Sequence, residues 1–140
     1  MTTRQSEVKA GQKKGRQKTE MQEKQEYIQK SIPLTEALFY ILLSVRKPNH
    51  GYGIIQEVEK LTGGRVVLGP GTLYGAMQTM TAKGWIRIYS AESESRKKKE
   101  YIITDIGRAI FAEEKKRLEE LLRNAAIMEG EGDGKISTVF

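Results

Sequence analysis

With 140 residues, 38% of them hydrophobic, the chain is long enough for one ordinary domain, and part of it must lie outside a core. The absence of cysteine excludes disulfides and thiolate metal sites, and a lone histidine argues against zinc, so neither a metal nor a cofactor is expected. A formal charge of +6 and a pI near 9.5 favour a polyanionic partner, while no apolar run approaches the ~20 residues that span a bilayer, so a cytoplasmic protein without a membrane partner is expected.

Residues 1–20 carry six basic groups against two acids and few apolar residues. Such a segment cannot bury enough surface to offset its ordering entropy. It reads as a basic arm, either a solubilising tail or a non-specific phosphate contact. Glu20 to Lys30 is helix-forming and extends the next helix backwards. That helix begins at Ile32-Pro-Leu-Thr, with Thr35 as an alternative N-cap. Leu38, Phe39, Leu42, Leu43 and Val45 make it central to the core. Lys47-Pro-Asn-His-Gly51 breaks it, with His50 in a capping or turn role. A second helix spans about Tyr52 to Leu61, with Ile54, Ile55, Val58 and Leu61 inward, and Thr62-Gly-Gly64 ends it. Glu57 and Glu59 read as surface groups. Arg65 to Leu68 reads as one short strand.

A Gly-Pro-Gly turn then opens a helix over 70–83 that Gly84 stops. Leu73, Met77 and Met80 recur at helical spacing and face a core. Thr72, Tyr74, Gly75, Gln78 and Thr79 fall on the other faces. They are small or neutral hydrogen-bonding residues, suited to close approach to a DNA groove. Tyr74 reads as a phosphate contact or as a half-buried tyrosine joining two helices. Thr72 reads as an N-cap, a phosphate ligand or both, and Gly75 as a point of close backbone approach or of helix packing.

Trp85 to Tyr89 and Glu100 to Thr104 read as two strands, with Trp85 in the core or walling a ligand site. The loop joining them holds Arg96, Lys97, Lys98 and Lys99, a basic tip for phosphate or minor-groove contact or else a solvated loop. Thr104 or Asp105 caps the last helix, which runs to about Met128. Phe111, Leu118 and Ala125 repeat every seven residues, with Leu121 and Met128 at the complementary position and Leu122 widening the stripe. Glu114 interrupts the series. Such a seam suits a second copy of the chain.

The order of helices, strand and two-stranded wing predicts a mainly α fold with a small β-wing. It divides into a basic extension (1–30), a winged helix-turn-helix domain (31–104), a C-terminal dimerisation helix (105–128) and a flexible tail (129–140). The stretch Leu34 to Leu43, His50-Gly-Tyr-Gly-Ile54, Leu68-Gly-Pro-Gly-Thr-Leu-Tyr74, Lys83-Gly-Trp-Ile86 and Lys99-Glu-Tyr-Ile-Ile-Thr104, closed by Gly107, together resemble the PadR-like transcriptional regulators in the subfamily with one C-terminal helix. The resemblance covers roughly residues 32–125. It implies a homodimeric repressor of an inverted-repeat double-stranded DNA operator. It further implies release by a hydrophobic or phenolic effector, although the tryptophan that stacks on flat drugs in some members has no counterpart after Trp85. The alternative from the residues is a winged-helix protein-interaction module that dimerises without specific DNA binding. No phosphate-loop fingerprint, histidine pair or cysteine nucleophile points to an enzyme.

Overall fold

The computed structural model describes residues 17–91 and 99–130. The chain divides into two compact units, Met1–Ser31 and Ile32–Phe140. In the first, helix α1 (Glu20–Ser31) opens on a reciprocal cap. The Gln22 N–H donates to Thr19 Oγ1 (3.0 Å), and the Thr19 N–H donates to the Gln22 side-chain oxygen (2.9 Å). The expected backward extension is therefore corrected: α1 is a helix of its own. It stops at Ser31, before Pro33, which has no N–H to continue a helical ladder. The part of the basic arm over 1–16 and the tail from 131 onward lie outside the described residues.

In the second unit, helix α2 (Glu36–Ser44) starts behind Thr35, whose Oγ1 accepts from the Leu38 N–H at 3.2 Å. Ile41, Leu42 and Val45 are fully buried, and Leu38, Phe39 and Leu43 are half-buried. Strand β1 (Asn49–His50) leads straight into helix α3 (Gly51–Leu61), where His50 Nδ1 accepts from the Gly53 N–H at 3.0 Å. Ile54 and Val58 point inward as expected, but Leu61 is exposed, because it sits in the last turn beyond what the helix packs on.

Arg65 to Leu68 is not a strand. The Val66 N–H donates to Thr62 Oγ1 (3.0 Å) rather than to a neighbouring strand. The third strand of the sheet is β1, which sequence reading placed in a turn. Its residues are extended beside the open edge of the wing hairpin, Asn49 opposite Tyr101 and His50 opposite Glu100.

Helix α4 (Pro70–Ala82) ends as expected at Gly84, whose φ of +78° suits a residue without a Cβ. Two bonds close the end: Gly84 N–H to the Thr81 carbonyl (3.0 Å) and Trp85 N–H to the Met80 carbonyl (2.9 Å). The chain turns directly into β2 (Ile86–Ala91), antiparallel to β3 (Lys99–Ile103), in a sheet of order β1-β3-β2. A register shift between Ile88 and Ser90 leaves Tyr89 as an extra residue on β2. Trp85 is buried in the core.

Thr104 splices the wing to helix α5 (Asp105–Met128). Its Oγ1 accepts from the Gly107 N–H (3.2 Å) and reaches the Gly84 and Trp85 carbonyls at 2.6 and 2.9 Å. The helix then buries Gly107, Ile110 and Glu114 against its own domain.

Candidate nucleic-acid interface

Not one of the thirteen residues of α4 is charged. Leu73, Met77 and Met80 fix its inner face in the core. Thr72, Gly75, Gln78 and Thr79 are all exposed on the outer face. A solvent-facing helix surface normally carries ions; this one offers hydroxyls, an amide and a bare backbone instead. Its N-terminus has no side-chain cap, since the N-cap is Gly69. The backbone N–H groups of the first turn therefore have no side chain closing them off, and the helix dipole favours an anion there.

Two sequence alternatives are resolved by this geometry. Thr72 is not the N-cap: Pro70 takes the first helical position, where its fixed φ and missing N–H suit it, and Thr72 lies inside the first turn. Gly75 has no role in helix packing, because a Cβ built on it meets nothing within 4 Å. The surface over Gly75 is open for another molecule's approach.

Tyr74 joins two helices. Its ring lies over Gly51 in the first turn of α3, so closely that a Cβ on Gly51 would stand 2.7 Å from the tyrosine Cζ. The ring is otherwise only partly exposed. On one side it lines a groove of about 340 Å³ with Gln78, Thr81, Ile88, Lys99 and Tyr101, which brings three of the expected site residues, Tyr74, Gln78 and Lys99, to one place between α4 and the wing. Lys99 begins β3, whereas Arg96, Lys97 and Lys98 lie outside the described residues.

On its other side Tyr74 lines a second concavity of about 430 Å³ with His50, Tyr52, Ile55 and Pro70. Tyr52 is 61% exposed and was not singled out in the sequence. The signal was its place directly after His50-Gly51, at a helix start that converges on the start of α4. Asn49 organises that corner: its Nδ2 donates to the Ser44 carbonyl and to Glu57 Oε2 (both 3.1 Å), and its Oδ1 accepts from the His50 N–H (3.0 Å). Glu57, expected as a surface group, is that side-chain acceptor. The loop ahead of α4 is pinned by a two-pronged ion pair, Arg65 to Glu36 at 3.1 and 2.7 Å. The Arg65 guanidinium holds the Glu36 carboxyl below the usual carboxylate range.

The seam expected on α5 divides in two. Phe111 stacks on Phe39 of the same chain, centroids 4.7 Å apart, so that ring face is already occupied. Leu118, Leu121, Leu122, Ala125 and Met128 are exposed. Glu114, which interrupted the apolar series, is buried at 1% exposure. Among the described residues no cluster of three or more metal-binding side chains occurs, and no helix is long and apolar enough to cross a membrane.

The family model of the transcriptional regulator PadR-like family matches residues 39–113. An uncharacterized 37.1 kDa protein in transposon TN4556 of Streptomyces fradiae is 36% identical over 67 residues, 48% of this chain and 18% of that protein. Uncharacterized protein X of Lysinibacillus sphaericus is 33% identical over 72 residues, 51% of this chain and 66% of the relative. The chain thus spans less than two thirds of either relative's length. A PadR-like transcription factor from Bacteroides fragilis superposes with a TM-score of 0.53 at 24% identity, over 66% of this chain and 87% of that one, which supports the winged-helix fold.

Proposed function

The chain belongs to the PadR-like family of transcriptional regulators, and on that premise we propose that it is a dimeric, sequence-specific DNA-binding repressor of the cytoplasm. The observation that carries this reading is the charge-free outer face of α4, exposed and partly backbone. In a major groove, Gln78, Thr72 and Thr79 reach base edges or phosphates, and Gly75 lets the backbone approach closely. Tyr74 and Tyr52 hydrogen-bond phosphates beside the N-terminus of α4. Arg96, Lys97, Lys98 and Lys99 grip the flanking backbone from the wing.

The exposed seam of Leu118, Leu121, Leu122, Ala125 and Met128 packs against the same seam of a second copy. Two α4 helices about one DNA turn apart, ~34 Å, read an inverted repeat with half-sites ~10 bp apart. A hydrophobic or phenolic effector acts at the helices that join the protomers and changes that spacing. Thermal-shift screening with phenolic acids and hydrophobic cations checks this last step; a screen in which no compound stabilises the protein removes it.

Fluorescence anisotropy against the promoter of the protein's own gene and a scrambled duplex, across salt, tests the main reading. Preference by ~10³-fold or more is expected for a specific operator. Equal, weak binding to every duplex, including those selected from fragmented genomic DNA, would sink it in favour of an interaction module.

A further inference from the structure

One buried charge has no part in the DNA contacts above. Glu114, in the third turn of α5, is 1% exposed. Its Oε2 accepts from the Leu34 N–H at 2.7 Å. Arg117 closes the other side in a fork, Nε to Oε1 at 2.6 Å and Nη2 to Oε2 at 3.0 Å. Leu34 stands immediately before Thr35, the cap of α2. One turn earlier on α5, Phe111 stacks on Phe39 of α2. A polar tie and an aromatic one therefore fasten α5 to α2 over residues 111–114. Leu118, Leu121, Leu122 and Met128 follow on the same helix with their side chains exposed.

We propose that Glu114 is a positioning residue that sets the angle at which α5 leaves the winged-helix domain, and through it the separation of the two α4 helices in the dimer. This rests on the dimeric DNA-binding reading above. The magnitude favours a lever at this point. From Glu114 to Met128 the helix runs ~21 Å at 1.5 Å per residue. A tilt of roughly 10° at the tie moves the far end by ~4 Å, about the rise of one base pair. Burial makes the tie selective in geometry: a carboxylate held by one backbone N–H and one guanidinium fork has few other satisfied arrangements.

The chain contains no cysteine, so Gln78→Cys on the exposed face of α4 accepts one spin label per protomer. Pulsed dipolar EPR on the DNA-free full chain then reads the α4–α4 distance. With Glu114 in place a narrow distribution centred near ~34 Å is expected. Glu114→Gln keeps the volume and an oxygen for the Leu34 N–H but releases the ionic fork. It should widen the distribution at least twofold or shift its centre by several ångströms. In the unlabelled chain, Glu114→Gln should also lose a roughly tenfold preference for the native operator over one expanded by two base pairs, while binding a single half-site as before. Arg117→Gln, which leaves the Leu34 bond intact, should give an intermediate width and serves if Glu114→Gln fails to fold. Unchanged widths in both variants, with dipolar coupling present, would overturn the lever and leave the dimer standing. No dipolar coupling in any chain would remove the dimeric reading, and the lever with it.

Discussion

Gly75→Ala should move stability and DNA affinity in opposite directions. Gly75 lies inside α4, as its sixth residue, on the exposed face. A Cβ there meets nothing within 4 Å, so the methyl causes no clash in the free protein. Alanine is better than glycine in a helix interior by about 0.8–1 kcal/mol, chiefly because glycine loses more backbone entropy on folding. For an ordered region of this size that raises the melting temperature by roughly 4 °C. In the proposed complex the same methyl would stand between the helix backbone and the base edges. Overpacking of a close contact costs about 1–3 kcal/mol, and 1.4 kcal/mol is tenfold in affinity. Thermal denaturation of the free chain and anisotropy on operator and random duplex give both numbers from one preparation. Higher melting with roughly tenfold weaker operator binding is expected, and random-duplex binding should barely change. A raised melting temperature with unchanged operator affinity would show that this face does not approach DNA. A lowered melting temperature would refute the helix-propensity argument itself.

Gly107→Ala should behave in the opposite way. Its Cβ would collide with the Trp85 carbonyl oxygen and stand 2.8 Å from Ile103 Cγ1, and because backbone cannot swing aside, a loss of about 1–3 kcal/mol or more is expected in urea denaturation; a neutral variant would mean that the start of α5 is free to shift. The Arg117 guanidinium holds the Glu114 carboxyl below the usual carboxylate range, against burial and with help from the Leu34 N–H. A lowered folded value means that stability is fully present above the ordinary carboxylate value, about 4.3, and is lost as pH falls through the folded one. Wild type should therefore lose its advantage over Glu114→Gln between about pH 4.3 and the acid limit, and an advantage that does not vary with pH would show that the carboxylate is not the origin. Arg96→Ala and Lys98→Ala should each lower the salt slope of DNA binding by about one without changing the melting temperature; unaltered slopes would remove the wing loop from the interface.

The elements most readable in the sequence were those whose signals are local. Leu73, Met77 and Met80 gave α4 its inner face, Gly84 its end, and Thr35 and Thr104 supplied caps three residues before the N–H groups they accept from. Several of the misreadings involve partners distant along the chain. Asn49–His50 is a strand only because β3, fifty residues on, lies beside it. Arg65–Leu68 has strand composition but pairs with no strand among the described residues, and so it is not a strand. Glu114 looked like a flaw in an apolar stripe because its acceptor role depends on the Leu34 N–H, eighty residues earlier. Phe111 matched the heptad count of the seam, yet its stacking partner is Phe39 within the chain. For the candidate interface, residue type identified the neutral face of α4, whereas the open space over Gly75 and the seat of Tyr74 on Gly51 required coordinates.

That seat couples positions 51 and 74 sterically. Tyr74 occupies the volume in which a side chain at Gly51 would lie. A descendant that first enlarges residue 51 must push the tyrosine away from α3 and disturb the groove it lines. A descendant that first shortens Tyr74 opens the space, after which residue 51 is free to grow. The order in which substitutions arrive, not only their identity, therefore decides which lineages keep a working α3–α4 corner, and effects measured one position at a time will not add across this pair.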